Sequence, residues 1–459
     1  MSIQSTIYSL PDNIKLKTWA ERIVAKADKR LVRDKEESIE KIYLDSFDWL
    51  LHKAGIKLLA ESYPASGFKK FNLHYLSHED NINRPAVVCV DKLPAFANDL
   101  PPGKLHQRIT PVLDIRSLIS VANIHSERIP LALKDKQGKT RVRLILEDNQ
   151  ALPGGRRKRI DLGYRLQVEA LTGYEKDYVW TIKLLEKIQG LDKVEDDLFE
   201  RAVVACGRSP GDYSSKITIK LEREWRVDHA CRTVLLGQLG QVERNIEGTI
   251  ADIDTEFLHD LRVAIRRSRA LLNRMKAAFP VSVLDRFSKE LAWVGSITTP
   301  QRDLDVYMLD FPKYRHSLPA KLRADLDPFY AFLREHHKSE QTILIKHLNS
   351  ARFRNFRSKW RTYLKQPLPK TSRAALALQQ IGDVADNRIW KTYRRLIKEG
   401  SVITPRSPDE AIHDLRKTCK KLRYLLEFFS SLYSRKQVKS IIKTLKNLQE
   451  NMGDFQDLS

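Results

Sequence analysis

Apolar and polar residues alternate in two stretches of the first half of the chain. In 141–147, RVRLILE, Val142, Leu144 and Leu146 take every second position, and in 158–168, KRIDLGYRLQV, the same holds for Ile160, Leu162, Tyr164, Leu166 and Val168. A period of two predicts half-buried strands, and ALPGG (151–155) between them predicts a hairpin connection. Near 174–200 the pattern turns helical and acidic, and RSPGDYSS (208–215) reads as a turn-rich joint. Beyond Ile219 the period lengthens to that of amphipathic helices, glycines thin out, and Pro280, Pro300, Pro319, Pro367 and Pro405 predict the breaks between them. The expected fold class is therefore an α+β domain, mainly antiparallel β, over 1–205, followed by an all-α domain over 215–459.

Composition sharpens this division. The 459 residues carry a formal net charge of +23. Residues 1–220 hold 37 Lys and Arg against 30 Asp and Glu, and residues 221–459 hold 44 against 28, so most of the excess belongs to the helical half. Such an excess repels itself in a compact state and points to a polyanionic partner: nucleic acid, an acidic membrane surface or inorganic polyphosphate. Cys89, Cys206, Cys231 and Cys419 lie far apart, with the spacing of neither a zinc site nor a disulfide framework, and are expected to be buried thiols in a reducing compartment. No segment reads as a leader peptide, and none approaches the roughly 20 apolar residues of a membrane span, so no membrane insertion and a cytoplasmic location are expected.

The helical half writes one phrase twice. HDLRVAIRRSR (259–269) returns as HDLRKTCKKLR (413–423), and the match continues without a gap: Leu271 and Leu272 correspond to Leu425 and Leu426, and Asp303 to Asp457. This is an internal duplication, with a first copy over about 220–366 and a second over about 372–459. On a helix turning about 100° per residue, His259, Arg262, Arg266 and Arg269 fall within an arc of roughly 80°, while Leu261, Ala264, Ile265, Ser268 and Leu272 occupy another face able to pack. Like charges at such spacings oppose helix formation by roughly 0.2–0.5 kcal/mol per pair. Their retention in both copies, as His413, Arg416, Lys420 and Arg423 with Arg267, Lys417 and Lys421 beside the stripes, favours an anion-binding face over a merely solvated one. Acidic and hydroxyl residues around Asp252 to Thr255, and Ser407 and Asp409, set each His in the first helical turns, where ring and free N–H groups face an anion. Arg388, Lys391, Arg395 and Lys398 recur at spacings of three, four and three. RFRNFRSKWR (352–361) interleaves cations with Phe353, Phe356 and Trp360, whose spacing predicts a buried helix face in preference to a base-stacking platform.

These phrases resemble the CHAD family, the conserved histidine α-helical domain, on HDLRVAIRRSRALL (259–272), GSITTPQRDLDV (295–306), HDLRKTCKKLRYLLEFF (413–429) and NLQENMGDFQDL (447–458). The resemblance implies two pseudo-symmetric helical bundles whose basic helices line a groove, and binding of inorganic polyphosphate, often at polyphosphate granules. It implies as contacts His259, Arg262, Arg266, Arg267, Arg269, His413, Arg416, Lys417, Lys420, Lys421 and Arg423, joined by Arg388, Lys391 and Arg395, with Asp303 and Asp457 organising the cations. In the first half, YLDSFDWLLHKAGIKLLAE (43–61), DIRSLISV (114–121) and GKTRVRLILED (138–148) resemble CYTH domains, the triphosphate tunnel fold. The ExExK strand that holds divalent metal in that family is not found near the N-terminus. EREWR (222–226) lies in an expected helical context and reads as coincidence, so a CYTH-like domain without its metal site is expected.

The first copy continues with some 60 residues of expected helix over 305–365, for which the second has no counterpart; either the second bundle lacks its last helices or the sequence is a fragment. The expected function is non-enzymatic polyphosphate binding without metal or cofactor. Two rivals stay open. Nucleic-acid binding fits the charge, but no zinc finger, helix-turn-helix or RNP-like strand accompanies it. A metal-dependent triphosphatase of the CYTH type needs a carboxylate set for which Glu61, Glu147 and Glu169 are candidates without a motif.

Overall fold

The computed structural model describes residues 5–27, 30–63, 70–77, 86–154, 158–195, 197–404 and 406–458, with the side chains of 76, 77, 86 and 454–458 excepted. The chain forms two compact units, Met1–Tyr213 and Ser214–Ser459, and the division between them falls in the turn-rich 208–215 segment of the sequence.

The first unit is α+β. Its strands are β1 (Ser5–Leu10), β2 (Leu31–Arg33), β3 (Glu37–Asp45), β4 (Ile56–Ser62), β5 (Phe71–Ser77), β6 (Ala86–Val90), β7 (Ile119–Lys134), β8 (Thr140–Ala151), β9 (Ile160–Ala170) and β10 (Asp192–Lys193), with helices α1 (Leu16–Lys26), α2 (Leu50–Lys53), α3 (Lys104–Leu113), α4 (Glu175–Leu185) and α5 (Leu198–Ala205). The strands make one antiparallel sheet in the order β10-β1-β9-β8-β7-β3-β4-β5-β6, with β2 added to β7. The two alternating stretches are β8 and β9, paired with Leu144 opposite Val168 and Leu146 opposite Leu166. The predicted hairpin connection falls partly outside the described residues. One sheet face carries Val142, Leu144, Leu146, Leu166 and Val168 into a core shared with Trp19 and Ile23 of α1. Strand alternation turns Glu147 and Asn149 to the opposite face, where both are nevertheless buried.

The second unit is all-α. It contains α6 (Val227–Ile250), α7 (Thr255–Arg274), α8 (Val281–Ser317), α9 (Asp327–Leu348), α10 (Ala351–Lys365), α11 (Ile381–Ser401), α12 (Asp409–Phe428) and α13 (Arg435–Leu458). The duplication is written in these boundaries: α6, α7 and α8 start at 227, 255 and 281, and α11, α12 and α13 start at 381, 409 and 435, a constant offset of 154. Leu261, Ala264, Ile265, Ser268 and Leu272 are buried, and their counterparts Leu415, Thr418, Cys419, Leu422 and Leu426 are buried too.

Three sequence expectations are corrected. Pro300 does not end a helix: α8 runs through both Pro300 and Pro312. An interior proline costs about 3 kcal/mol, and here Leu291, Val294, Thr298, Gln301 and Asp305, buried on either side of Pro300, hold the helix continuous. EREWR is not helical; it forms a turn and an isolated bridge, Arg226 to Gln380, immediately before α6. Cys89 is exposed and Cys206 half-buried, whereas Cys231 and Cys419 are buried as expected. Pro405 lies outside the described residues. Phe353, Phe356 and Trp360 are buried in the core of α10, with Phe287 against Trp360 at 4.3 Å between ring centroids, so they are no stacking platform.

Candidate anion-binding site

Each phrase helix buries its apolar face and leaves its cations at the margin of that packing. α7 packs against α6, α8 and α12, and α12 against α11 and α13. Because α7 and α12 touch, the two stripes approach one another. Lys420 is held below the ordinary lysine value first by burial and then by Arg416, Arg266 and Arg423, so cations from both copies act at one place. A second group forms beside it: burial lowers Arg274, as do Arg388 and Arg395 of α11, and burial lowers Lys421, as do Arg274 and Arg395. Arg266, Arg269, Lys420 and Lys421 make no ion pair among the described residues.

The remaining stripe residues are placed differently. Arg262 donates to the Gly295 carbonyl at 3.2 Å and to the Thr298 and Thr299 hydroxyls at 2.8 and 3.0 Å, neutral acceptors that fix it against α8 without cancelling its charge. Burial lowers Arg262, and the charge of Asp303 opposes that shift. The equivalent Arg416 lies against α13, where a Cβ on Gly453 would come within 2.9 Å of its guanidinium. Arg267 and Arg423, one from each copy, share Glu427 at 3.6 and 3.3 Å, and Arg267 also donates to the Ser215 carbonyl at 2.5 Å. Lys417 pairs with Asp414 at 3.0 Å and Arg395 with Glu399 at 2.5 Å. Lys391 and His413 are exposed, and the side chain of Asp457 lies outside the described residues.

Around His259 two of the expected free N–H groups are occupied in the first copy, because Asp254 caps α7 by accepting from the amides of Glu256 and Phe257. In the second copy the N-cap is Pro408, which has no side-chain cap. Glu256, His259 and Asp260 offer ligand atoms within 4.8 Å of one another, a group with the chemistry of a metal site that the sequence reading passed over. Arg274 was missed as well, although continuing the helical period past Arg269 brings it back roughly 60° from His259.

The first unit gathers a separate charged set. Lys41 of β3 donates to both carboxylate oxygens of Glu147 at 2.8 and 2.7 Å. Arg128 of β7 bridges Glu147 at 2.5 Å and Glu61 at 2.9 Å, and His74 lies 3.3 Å from the other oxygen of Glu61. Burial works to raise both carboxyls; His74, Arg128 and Lys41 outweigh it at Glu61 and hold it at about 2, and Lys41 and Arg128 hold Glu147 low. Tertiary structure thus brings Glu61 and Glu147 together. Glu169 accepts instead from Gln167 at 2.7 Å. The string ESIEK (37–41) shows why the motif was not recognised: β3 presents Glu37, Ile39 and Lys41 at alternate positions, with buried Ile39 where ExExK needs its second carboxylate. A divalent metal does not fit this set, since all four oxygens of Glu61 and Glu147 already face cationic or imidazole nitrogen.

No helix among the described residues is long and apolar enough to cross a membrane. Residues 233–459 match the model of the CHAD domain. Among solved structures the chain is similar to the CHAD domain from the plant Ricinus communis, at 23% identity and a TM-score of 0.43, covering 53% of this chain and 78% of that one. It is also similar to PptA from Streptomyces chartreusis, at 18% identity and a TM-score of 0.36, covering 48% and 81%. A third similarity is to a putative adenylyl cyclase from Hippeastrum, reported to reveal a dominant triphosphatase activity, at 15% identity and a TM-score of 0.30, covering 47% and 100%. No curated protein matches the chain.

Proposed function

Residues 233–459 form a CHAD domain, and from that premise we propose that the chain binds inorganic polyphosphate on the cations of α7, α11 and α12, without hydrolysing it. The observation that carries this reading is the packing of α7 against α12, which sets the basic helices of the two copies side by side, with Arg266 of one copy among the cations that act on Lys420 of the other. Cations packed so closely raise each other's free energy; a flexible anion with a charge on each repeating unit lowers it at every position. Arg forks and Lys point charges both suit phosphoryl oxygens, and a ligand without bases needs no groove-reading element. His259, Arg262, Arg266, Arg269, Arg274, Arg388, Arg416, Lys420 and Lys421 are the contacts proposed, and association with cytoplasmic polyphosphate granules is the cellular counterpart.

A single competition experiment separates this from the rivals. The full chain is immobilised and loaded with a long single-stranded DNA, then challenged with polyphosphate at equal phosphate concentration, and the order is reversed. Polyphosphate is expected to displace DNA and to resist displacement by it; efficient displacement of polyphosphate by DNA makes nucleic acid the ligand. Phosphate release from tripolyphosphate with magnesium or manganese, absent in this reading, makes the chain an enzyme.

A further inference from the structure

The duplication provides an internal comparison, and position 273 is one of those at which the two copies differ in charge. Between α7 and α8 lies a cavity of about 550 Å³ whose lining includes Arg266, Arg269, Asn273, Lys276, Asp285 and Lys289. Four cations and one carboxylate leave it strongly positive, and both Arg266 and Arg269 are exposed. Counting forward by the repeat offset, Arg269 becomes Arg423 and Asn273 becomes Glu427. In the second copy the Glu427 carboxylate lies 3.3 Å from Arg423, one helical turn before it, and 3.6 Å from Arg267 of the first. These side chains are 11%, 18% and 14% exposed, so Arg423 is turned away from solvent and toward an internal anion. Asn273, neutral and exposed, makes no such demand on Arg269.

We propose that this position sets the asymmetry of the binding track: the cavity between α7 and α8 is the tighter anion subsite, with Arg269 open to ligand, while Glu427 acts as a built-in competitor that withholds Arg423 and Arg267. This rests on the polyphosphate reading and specifies where along the paired helices the affinity resides. The physical reason is that a carboxylate one turn from an arginine is always present at high effective concentration, so an incoming phosphate gains at Arg423 only the difference between two similar ion pairs. At Arg269 there is no paired carboxylate among the described residues to displace.

The test exchanges the two copies' choices in the full chain and measures retention of a labelled polyphosphate. Asn273→Glu, which writes the Arg423–Glu427 pair into the first copy, is expected to weaken binding about tenfold, and the neutral Asn273→Gln to leave it unchanged. Glu427→Gln is expected to tighten binding about threefold. Equal affinity of Asn273→Glu and the parent chain overturns the assignment of the cavity, and weaker binding by a fully helical Glu427→Gln chain overturns the competitor role, making Glu427 a pin between the copies. Because Asn273 is exposed, its variants keep the test decisive if Glu427→Gln does not fold. A parent chain that retains no polyphosphate removes the binding reading itself and this proposal with it.

Discussion

The two units handle charge in opposite ways. In the first, cations are turned inward and matched: Lys41 and Arg128 meet Glu147 and Glu61 in a nearly water-free setting, and each carboxylate oxygen has a cationic or imidazole nitrogen against it. In the second, Arg266, Lys420 and Lys421 stand at the margin of helix packing without an ion pair among the described residues, and the charged groups that act on Lys420 are the cations Arg416, Arg266 and Arg423. The same residue types are therefore finished structure in one place and an unmet electrostatic demand in the other. What decides is whether the fold supplies the counter-charge, not how many lysines and arginines are present.

This contrast can be broken by experiment. Salt gives the largest expected effect. Polyphosphate retention should fall by on the order of a thousandfold between roughly 50 and 200 mM salt if about six phosphates are contacted, whereas the denaturation midpoint of the first unit should barely move, because buried pairs are screened little. Salt-independent retention would mean that the cationic margins are not the binding surface. Next, Arg266→Glu combined with Lys420→Glu should lower affinity at least about 100-fold with helix content by circular dichroism unchanged; undiminished binding would place the ligand elsewhere.

In the first unit, Glu147→Gln leaves Lys41 and Arg128 buried without their shared partner and should cost about 3–5 kcal/mol in urea denaturation. A cost below about 1 kcal/mol would show that the set is solvated and not a closed core. The smallest effects concern pH, and they have opposite signs. Glu61, held at about 2 in the fold, contributes stability that is complete above its unfolded value and is lost as pH falls from roughly 4.5 toward 2, on the order of 3 kcal/mol. His337 is raised by its contact with Asp305 at 2.9 Å. Its contribution is complete below its unfolded value of roughly 6.5 and disappears as pH rises through the higher folded value. Thermal melts followed separately through near-UV signals of the two units should shift in these two directions; a common direction would contradict the pairing described.

The legible parts of the chain were those whose signal is local. Alternation located β8 and β9, the helical period located the buried face of α7 and α12, and the repeated phrase announced a duplication that the helix boundaries then kept to the residue. Pro300 misled because the penalty of one proline is outweighed by packing on both sides of it, which no window of sequence displays. Glu61 and Glu147 looked like scattered acids because they are 86 positions apart in the chain and meet only through Arg128 and the register of β4, β3, β7 and β8. Arg267 and Arg423 read as ligand contacts from their phrase, yet Glu427 binds both of them inside the fold.

By itself, then, the order of residues determined the alternating strands β8 and β9, the helical character beyond Ile219 and the cationic stripes of α7 and α12, because strand alternation, helical period and copying all act over a few residues or at a fixed offset. Only the tertiary structure decided which cations are satisfied and which are left over. Ion pairing depends on distances of a few ångströms between side chains from different elements, and the chain's linear order does not contain those distances.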